Sequence, residues 1–174
     1  MAADAARGEP GEFSTIEAAE RAAGFAIPHP RDISGWRLES VRVRSASYGA
    51  GDAEAVEAFR FVTTVFASEP PGRFFHVSSH PSDGTLQPMG GDGDTSEMVV
   101  AGRRTLLHTM TGSFYANWLD NGLHVSINGF LHPQDSRAFS PTTAFESVEA
   151  FNAYAATLPP LDIEDVLRIV ESTR

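Results

Sequence analysis

Asn121-Gly122 narrows what this chain can become more than any other pair of residues. Both central positions of a tight type I′ turn need positive φ, and Asn-Gly adopts it with the least strain. The runs on either side, 113–119 and 123–130, alternate between apolar and polar residues. A two-residue turn fixes their register, because a slip of one residue would flip every side chain to the other face. Asp120 must then face Leu123, Trp118 must face Val125 and Ala116 must face Ile127. Phe114, Ala116, Trp118, Leu123, Val125 and Ile127 share one apolar face. Tyr115, Asn117, Leu119, His124, Ser126 and Asn128 share a more polar one. An antiparallel sheet with one face packed and one mostly solvated is the expected outcome.

Other stretches repeat the pattern. Residues 36–48 alternate, but the parity slips between Leu38 and Val41, which predicts a bulge or a strand starting after Glu39. Residues 58–67 carry large apolar groups on both sides: Phe59, Phe61 and Val65 on one, Val62 and Phe66 on the other. That fits a central strand covered on both faces. Residues 73–79 form another strand. Residues 98–101 and 104–110 flank a tight turn or bulge at Gly102, and Thr111-Gly112-Ser113 is also read as a turn.

Helices stand at both ends. Ser14 or Thr15 caps the first, with Glu17 at capping-box spacing from Ser14, an apolar stripe of Ile16, Ala19, Ala22 and Ala23, and Gly24 as terminator. Pro28 and Pro30 forbid its continuation. A second helix starts at Thr142 or Thr143, with Glu146 at capping spacing, and ends before Pro159-Pro160. Asp162 caps the last, which docks through Ile163, Val166, Leu167 and Val170. Residues 1–12 read as a disordered lead, and 13–174 as a single α+β domain. Its expected form is an antiparallel or mostly antiparallel sheet of about six strands, packed against N-terminal and C-terminal helices.

Composition excludes several functions. The 174 residues carry a formal net charge of −10 and offer no basic stripe for nucleic-acid phosphate. Arg42 and Arg44 share a strand face, whereas Arg103 and Arg104 diverge or sit at a turn. Without cysteine there is no disulfide or thiolate chemistry, and without lysine no Schiff base. No apolar run is long enough to span a membrane. The N-terminus lacks the pattern of a signal peptide, so the chain as it stands is read as cytoplasmic; it would be extracytoplasmic if an anchor preceded Met1.

Candidate sites are few. Six histidines are present without a metal-ligand spacing. His76 and His108 would meet if their strands were adjacent, with Asp83 near. The run 91–97 resembles the front of a calcium loop, with Asp92 and Asp94 as oxygen donors. Counting from Asp92, however, Glu97 replaces the glycine and Arg103 the bidentate glutamate that an EF-hand requires. No nucleophile elbow, dinucleotide fingerprint or phosphate loop occurs, and no cofactor is expected. The aromatic load leaves a binding face as the remaining option. Phe66, Phe75 and Tyr115 are the candidates to line an apolar groove on the second sheet face, for a partner protein or a small apolar ligand.

The order of segments resembles the helix-and-sheet domain family found in bacterial anti-sigma-factor-like and lipoprotein-carrier-like proteins. The residues that carry the resemblance are the helix at 15–23, Phe25-Ala26-Ile27-Pro28, Gly35-Trp36, Val99-Val100-Ala101-Gly102, Trp118 with Gly122, and the helix at 161–172. Asp32-Ile33-Ser34 replaces the family's leucine-proline, and the helix at about 142–157 is an addition. The resemblance implies a non-catalytic sensing or binding domain, often outside the membrane, and carries over no catalytic residue. The preferred function is therefore a non-catalytic binding or regulatory domain. The alternatives are a structural module assembling as a homodimer through an edge strand, and a hydrolase using His76 and His108.

Overall fold

The computed structural model describes residues 8–47, 58–69, 72–82, 84–86, 88, 92–133 and 147–174. Its centre is the Asn121-Gly122 hairpin. Those residues have φ of 49° and 79°, and the pairs Asp120–Leu123, Trp118–Val125 and Ala116–Ile127 form as the turn requires. Strands β7 (Ser113–Asp120) and β8 (Leu123–Phe130) are thereby locked in register.

Six further strands extend this pair: β1 (Gly11–Phe13), β2 (Trp36–Ser47), β3 (Ala58–Ser68), β4 (Phe74–Pro81), β5 (Asp94–Val100) and β6 (Arg103–Met110). All neighbours are antiparallel, in the order β1-β2-β3-β4-β8-β7-β6-β5. The α+β architecture with terminal helices is as expected, but the described residues form eight strands rather than about six. Residues 11 and 12, assigned to a disordered lead, belong to β1 and pair with Val43 and Arg42. The parity slip in β2 is a bulge, with the register shifting between Leu38 and Ser40.

The helices are α1 (Ile16–Ala23), α2 (Val148–Ala155) and α3 (Ile163–Ser172). Thr15, not Ser14, caps α1, accepting from the Ala18 amide, and Gly24 closes it at φ 80°. The start expected for α2 at Thr142 or Thr143 lies outside the described residues. Ser147 is its observed cap. Asp162 caps α3 in a reciprocal box with Asp165.

The core lies on one sheet face. Val62, Phe66, Phe75, Val77, Phe114, Ala116, Trp118, Val125 and Ile127 are buried there. From α3 come Val166, Ile169 and Val170, with Leu161 just before it; Ala19, Ala22 and Ala23 of α1 cover Val41, Val43 and Val62. Ile163, expected to dock, stays exposed because the buried stripe runs through Ile169 instead. Phe114 lies over its cross-strand partner Gly129, where a Cβ would stand 2.8 Å from the Phe114 ring.

Arg103 and Arg104 diverge as their neighbouring strand positions demand. Arg104 makes a bidentate pair with Glu97 at 2.7 and 2.8 Å on the exposed face. Arg103 turns inward, 4.8 Å above the ring of fully buried Trp118. It donates to the carbonyls of Thr173 (2.6 Å) and Val170 (2.8 Å) at the end of α3. The Val170 carbonyl also accepts from the Thr173 amide at 3.3 Å, and a cation at this end of α3 complements the negative end of the helix dipole. The chain beyond α3 is held by the segment after α1: the His29 amide donates to the Arg174 carbonyl, the Arg174 amide donates back, and the Arg31 amide donates to the Ser172 carbonyl.

Arg103→Ala removes two charge-assisted hydrogen bonds and a cation–π contact, so urea denaturation should show a loss of about 2–3 kcal/mol. Arg104→Ala, a surface pair, should change little. Ala101 holds φ 48° in the β5–β6 turn, a conformation that asparagine tolerates and alanine resists. Ala101→Asn should raise stability by about 0.5–1 kcal/mol, read as a higher thermal midpoint; a fall would contradict this account of the turn.

Candidate functional site

A cleft lies on the helix-covered side, where the chain enters β2 beside α3. Asp32 (φ 57°) and Gly35 (φ 83°) turn the segment 31–36 back along the helix. The resulting cleft of about 730 Å³ is lined by Arg31, Asp32, Ile33, Ser34 and Trp36 on one wall. Leu161, Asp165, Arg168, Ile169, Glu171, Ser172 and Arg174 line the other. A smaller cleft of about 190 Å³ shares Trp36, Leu161 and Asp165, and adds Gly35, Ser68, Glu69, Arg73 and Leu158. Through these shared residues the two clefts adjoin, and together they run alongside α3 from Leu161 to Arg174.

The floor is apolar and its rim carries both charges. Ile33 and Trp36 are half-buried and pack against the main core, which includes Leu161 and Ile169. Trp36 stands edge-on to Phe75 with ring centres 4.8 Å apart, and Phe75 stacks on Phe66 at 5.1 Å. On the rim, Arg168 pairs with Asp165 at 3.0 Å and with Glu164 at 3.7 Å. Arg31, Arg174, Asp32 and Glu171 are exposed. The cleft has a volume within the range of ligand sites, an aromatic floor and a polar rim.

The residues proposed from sequence are distributed differently. Phe66 and Phe75 are buried under the helices, whereas Tyr115 belongs to the opposite sheet face. The three line no common groove; Phe75 and Phe66 support the floor from beneath Trp36. The groove's own residues escaped the sequence reading because one wall comes from 31–36 and the other from 161–174.

His76 and His108 share a cross-sheet row but do not meet. The row runs His76–Asn128–Tyr115–His108–Thr95, so β8 and β7 intervene between β4 and β6. Three strand spacings amount to roughly 14 Å. Asp83 lies outside the described residues, and Asp94, one position from the partner of His108, belongs to the other face. His108 is buried, sharing a 2.7 Å hydrogen bond between Nδ1 and Thr95 Oγ1. Gly93 packs against its other edge, where a Cβ would lie 2.9 Å from Nε2.

Residues 94–97 belong to β5, paired with β6, so Asp94 and Glu97 point to opposite faces, and Glu97 is occupied by Arg104. Asp92 is exposed just before the strand. Among the described residues no three His, Cys, Asp or Glu side chains are grouped to hold a metal ion, and no helix is long and apolar enough to cross a membrane.

The face opposite the helices has a polar centre, with Asn117, Ser78 and Ser126 in one row. Beside it, Phe61, His80 and His124 form a ladder of rings, with centres 5.6 and 5.0 Å apart, and Phe59 lies 5.3 Å from His80. Burial lowers the pKa of His76, and burial followed by repulsion from His80 lowers that of His124.

Compared with protein-family models, curated proteins and solved structures, the chain matches none.

The lowered histidines set a pH dependence. Both resist protonation in the folded chain at pH values where the unfolded chain already takes up protons. They therefore have no effect on stability well above the ordinary histidine value of about 6.5, and a growing destabilising one as pH falls through it. Urea midpoints should decline from pH 7.5 to 5, and the double variant His76→Gln/His124→Gln should show a flatter decline. An unchanged slope would remove these histidines as the cause.

Proposed function

We propose that this chain is a non-catalytic binding domain that holds an extended peptide segment of a partner protein in the groove between residues 31–36 and α3. One observation carries the reading: Ile33 and Trp36, half-buried, form with Leu161 and Ile169 an apolar floor between charged walls. A partly exposed tryptophan over a packed aromatic base is the kind of surface on which one apolar side chain of a partner gains most of its binding energy. Arg31 and Arg174 alternate with Asp32 and Glu171 around it, so a peptide with charges of both signs beside its apolar residue would be held in one register. The continuation toward Gly35 and Leu158 suits a ligand longer than the floor itself. The resemblance of the segment order to the anti-sigma-factor-like and lipoprotein-carrier-like domains, read from sequence, points to the same assignment.

The test is selection of peptide ligands from a random library, followed by NMR titration of the best. Binding should shift the Trp36 indole and the methyl groups of Ile33 and Ile169. Ile33→Asp should weaken it at least tenfold while lowering the thermal midpoint by only a few degrees, as loss of a half-buried side chain predicts. Ligands that shift only the opposite sheet face, or that bind Ile33→Asp equally well, would refute the reading.

A further inference from the structure

We propose that β5 is the contact edge of a symmetric homodimer, pairing antiparallel with β5 of a second copy about a two-fold axis at Met98. Strand order leaves β1 and β5 at the two edges of the sheet. β1 is three residues long and follows Pro10, so it offers a partner little backbone to pair with. β5 is different. Its seven residues run in unbroken register with β6 and contain no proline, lysine or bulge, the features that normally guard an edge. The groove is walled by the segment leading into β2, toward the other end of the sheet, so this inference is independent of it.

The turn after β5 fixes which backbone groups face outward. Ala101 and Gly102 have φ of 48° and 79°, so Val100 and Arg103 close a two-residue hairpin as a hydrogen-bonded pair. Alternation then directs the amides and carbonyls of Ser96 and Met98 to β6, and those of Thr95, Glu97 and Val99 away from it. These three residues are exposed, Val99 to 75%. The large hydrophobic side chains exposed among the described residues are Val99 and Ile163. Ile163 lies one turn from Leu167 on the flank of α3 opposite the groove residues Asp165, Arg168 and Ser172, and α3 contacts β5. Both exposed side chains therefore flank this edge.

The edge complements a second copy of itself. A chain with a net charge of −10 repels its own copies, so a contact between them must be locally neutral. Glu97 and Arg104 meet that condition as a bidentate pair at 2.7 and 2.8 Å. With Met98 on the axis, Glu97 of each copy faces Val99 of the other, and the outward amides and carbonyls of both residues are paired. Met98, half-buried against the core, meets its own copy on the helix side. Arg104 is the cross-strand partner of Val99, so Glu97 of one copy and Arg104 of the other share a row with Val99 between them. Each guanidinium then has a carboxylate from either copy within its reach. A register centred on Glu97 would overlap more of the strand, but it sets two carboxylates directly opposite each other, which disfavours it.

The experiment is sedimentation velocity of the full chain from micromolar to millimolar concentration. The sedimentation coefficient should rise reversibly from that of a monomer to that of a dimer. Val99→Glu, which faces Glu97 of the second copy, should weaken dimerisation at least tenfold, whereas Val99→Lys, facing the same carboxylate, should retain it. Val99 is exposed, so both variants keep the folded chain intact. A second measurement locates the axis. The chain has no cysteine, and the residues of a non-hydrogen-bonded antiparallel pair lie about 4.5 Å apart at Cα, within disulfide range. Met98→Cys should therefore cross-link to a dimer on mild oxidation, and Glu17→Cys, exposed on α1, should not. A chain that stays monomeric throughout, leaving the edge to a different partner, would overturn the proposal. So would a dimer equally stable in Val99→Glu, or equal cross-linking of both cysteine variants.

Discussion

The guanidinium of Arg103 is the contact on which the arrangement of the helix-covered side depends. It lies over buried Trp118 in the sheet and donates to two carbonyls at the end of α3. Its position therefore ties the sheet core to the last turn of the helix. That turn is also sealed by Thr173, whose hydroxyl donates to the Ile169 carbonyl at 2.8 Å. Backbone pairing of residues 29–31 with 172–174 then brings the segment after α1 alongside. The groove exists because these contacts hold α3 and residues 31–36 side by side. An unpaired helix end or a displaced tail would leave Ile33 and Trp36 without an opposite wall.

The sheet divides two kinds of surface. On the helix side, large apolar groups interdigitate and the aromatic series Trp36–Phe75–Phe66 runs from the groove floor into the core. On the other side, strand alternation brings histidines, serines and asparagines to one surface, with phenylalanine rings near one edge. The proposed peptide groove and the ladder of rings thus lie on opposite faces. β4 carries residues toward both: Phe75 under the groove and His80 in the ring ladder. One strand supports two surfaces because successive side chains alternate.

Local chemistry made much of this fold readable from the chain. The Asn121-Gly122 turn, the bulge in β2, the glycine terminator of α1, the Asp162 cap and the inward–outward split of Arg103 and Arg104 are short-range features. Each depends on backbone sterics, hydrogen bonding within a few residues or strand alternation. β1 was missed because three residues of low apolar content have no period to detect; pairing with β2 makes them a strand. Residues 94–97 looked like a loop because polar residues dominate them, and β6 recruits them into the sheet edge.

The sequence by itself determined the class of the molecule, an antiparallel sheet with terminal helices, and the register of its central hairpin. These depend on periodicity and turn conformation, which act between near neighbours. Strand order was decided only in three dimensions. Placing β8 beside β4 separates His76 from His108 and brings His80 against His124, although spacing along the chain distinguishes neither pair. The groove was decided in the same way, since its walls lie more than a hundred residues apart in the sequence and meet only when α3 docks. Contacts between distant residues depend on how whole elements pack, and no local pattern encodes them.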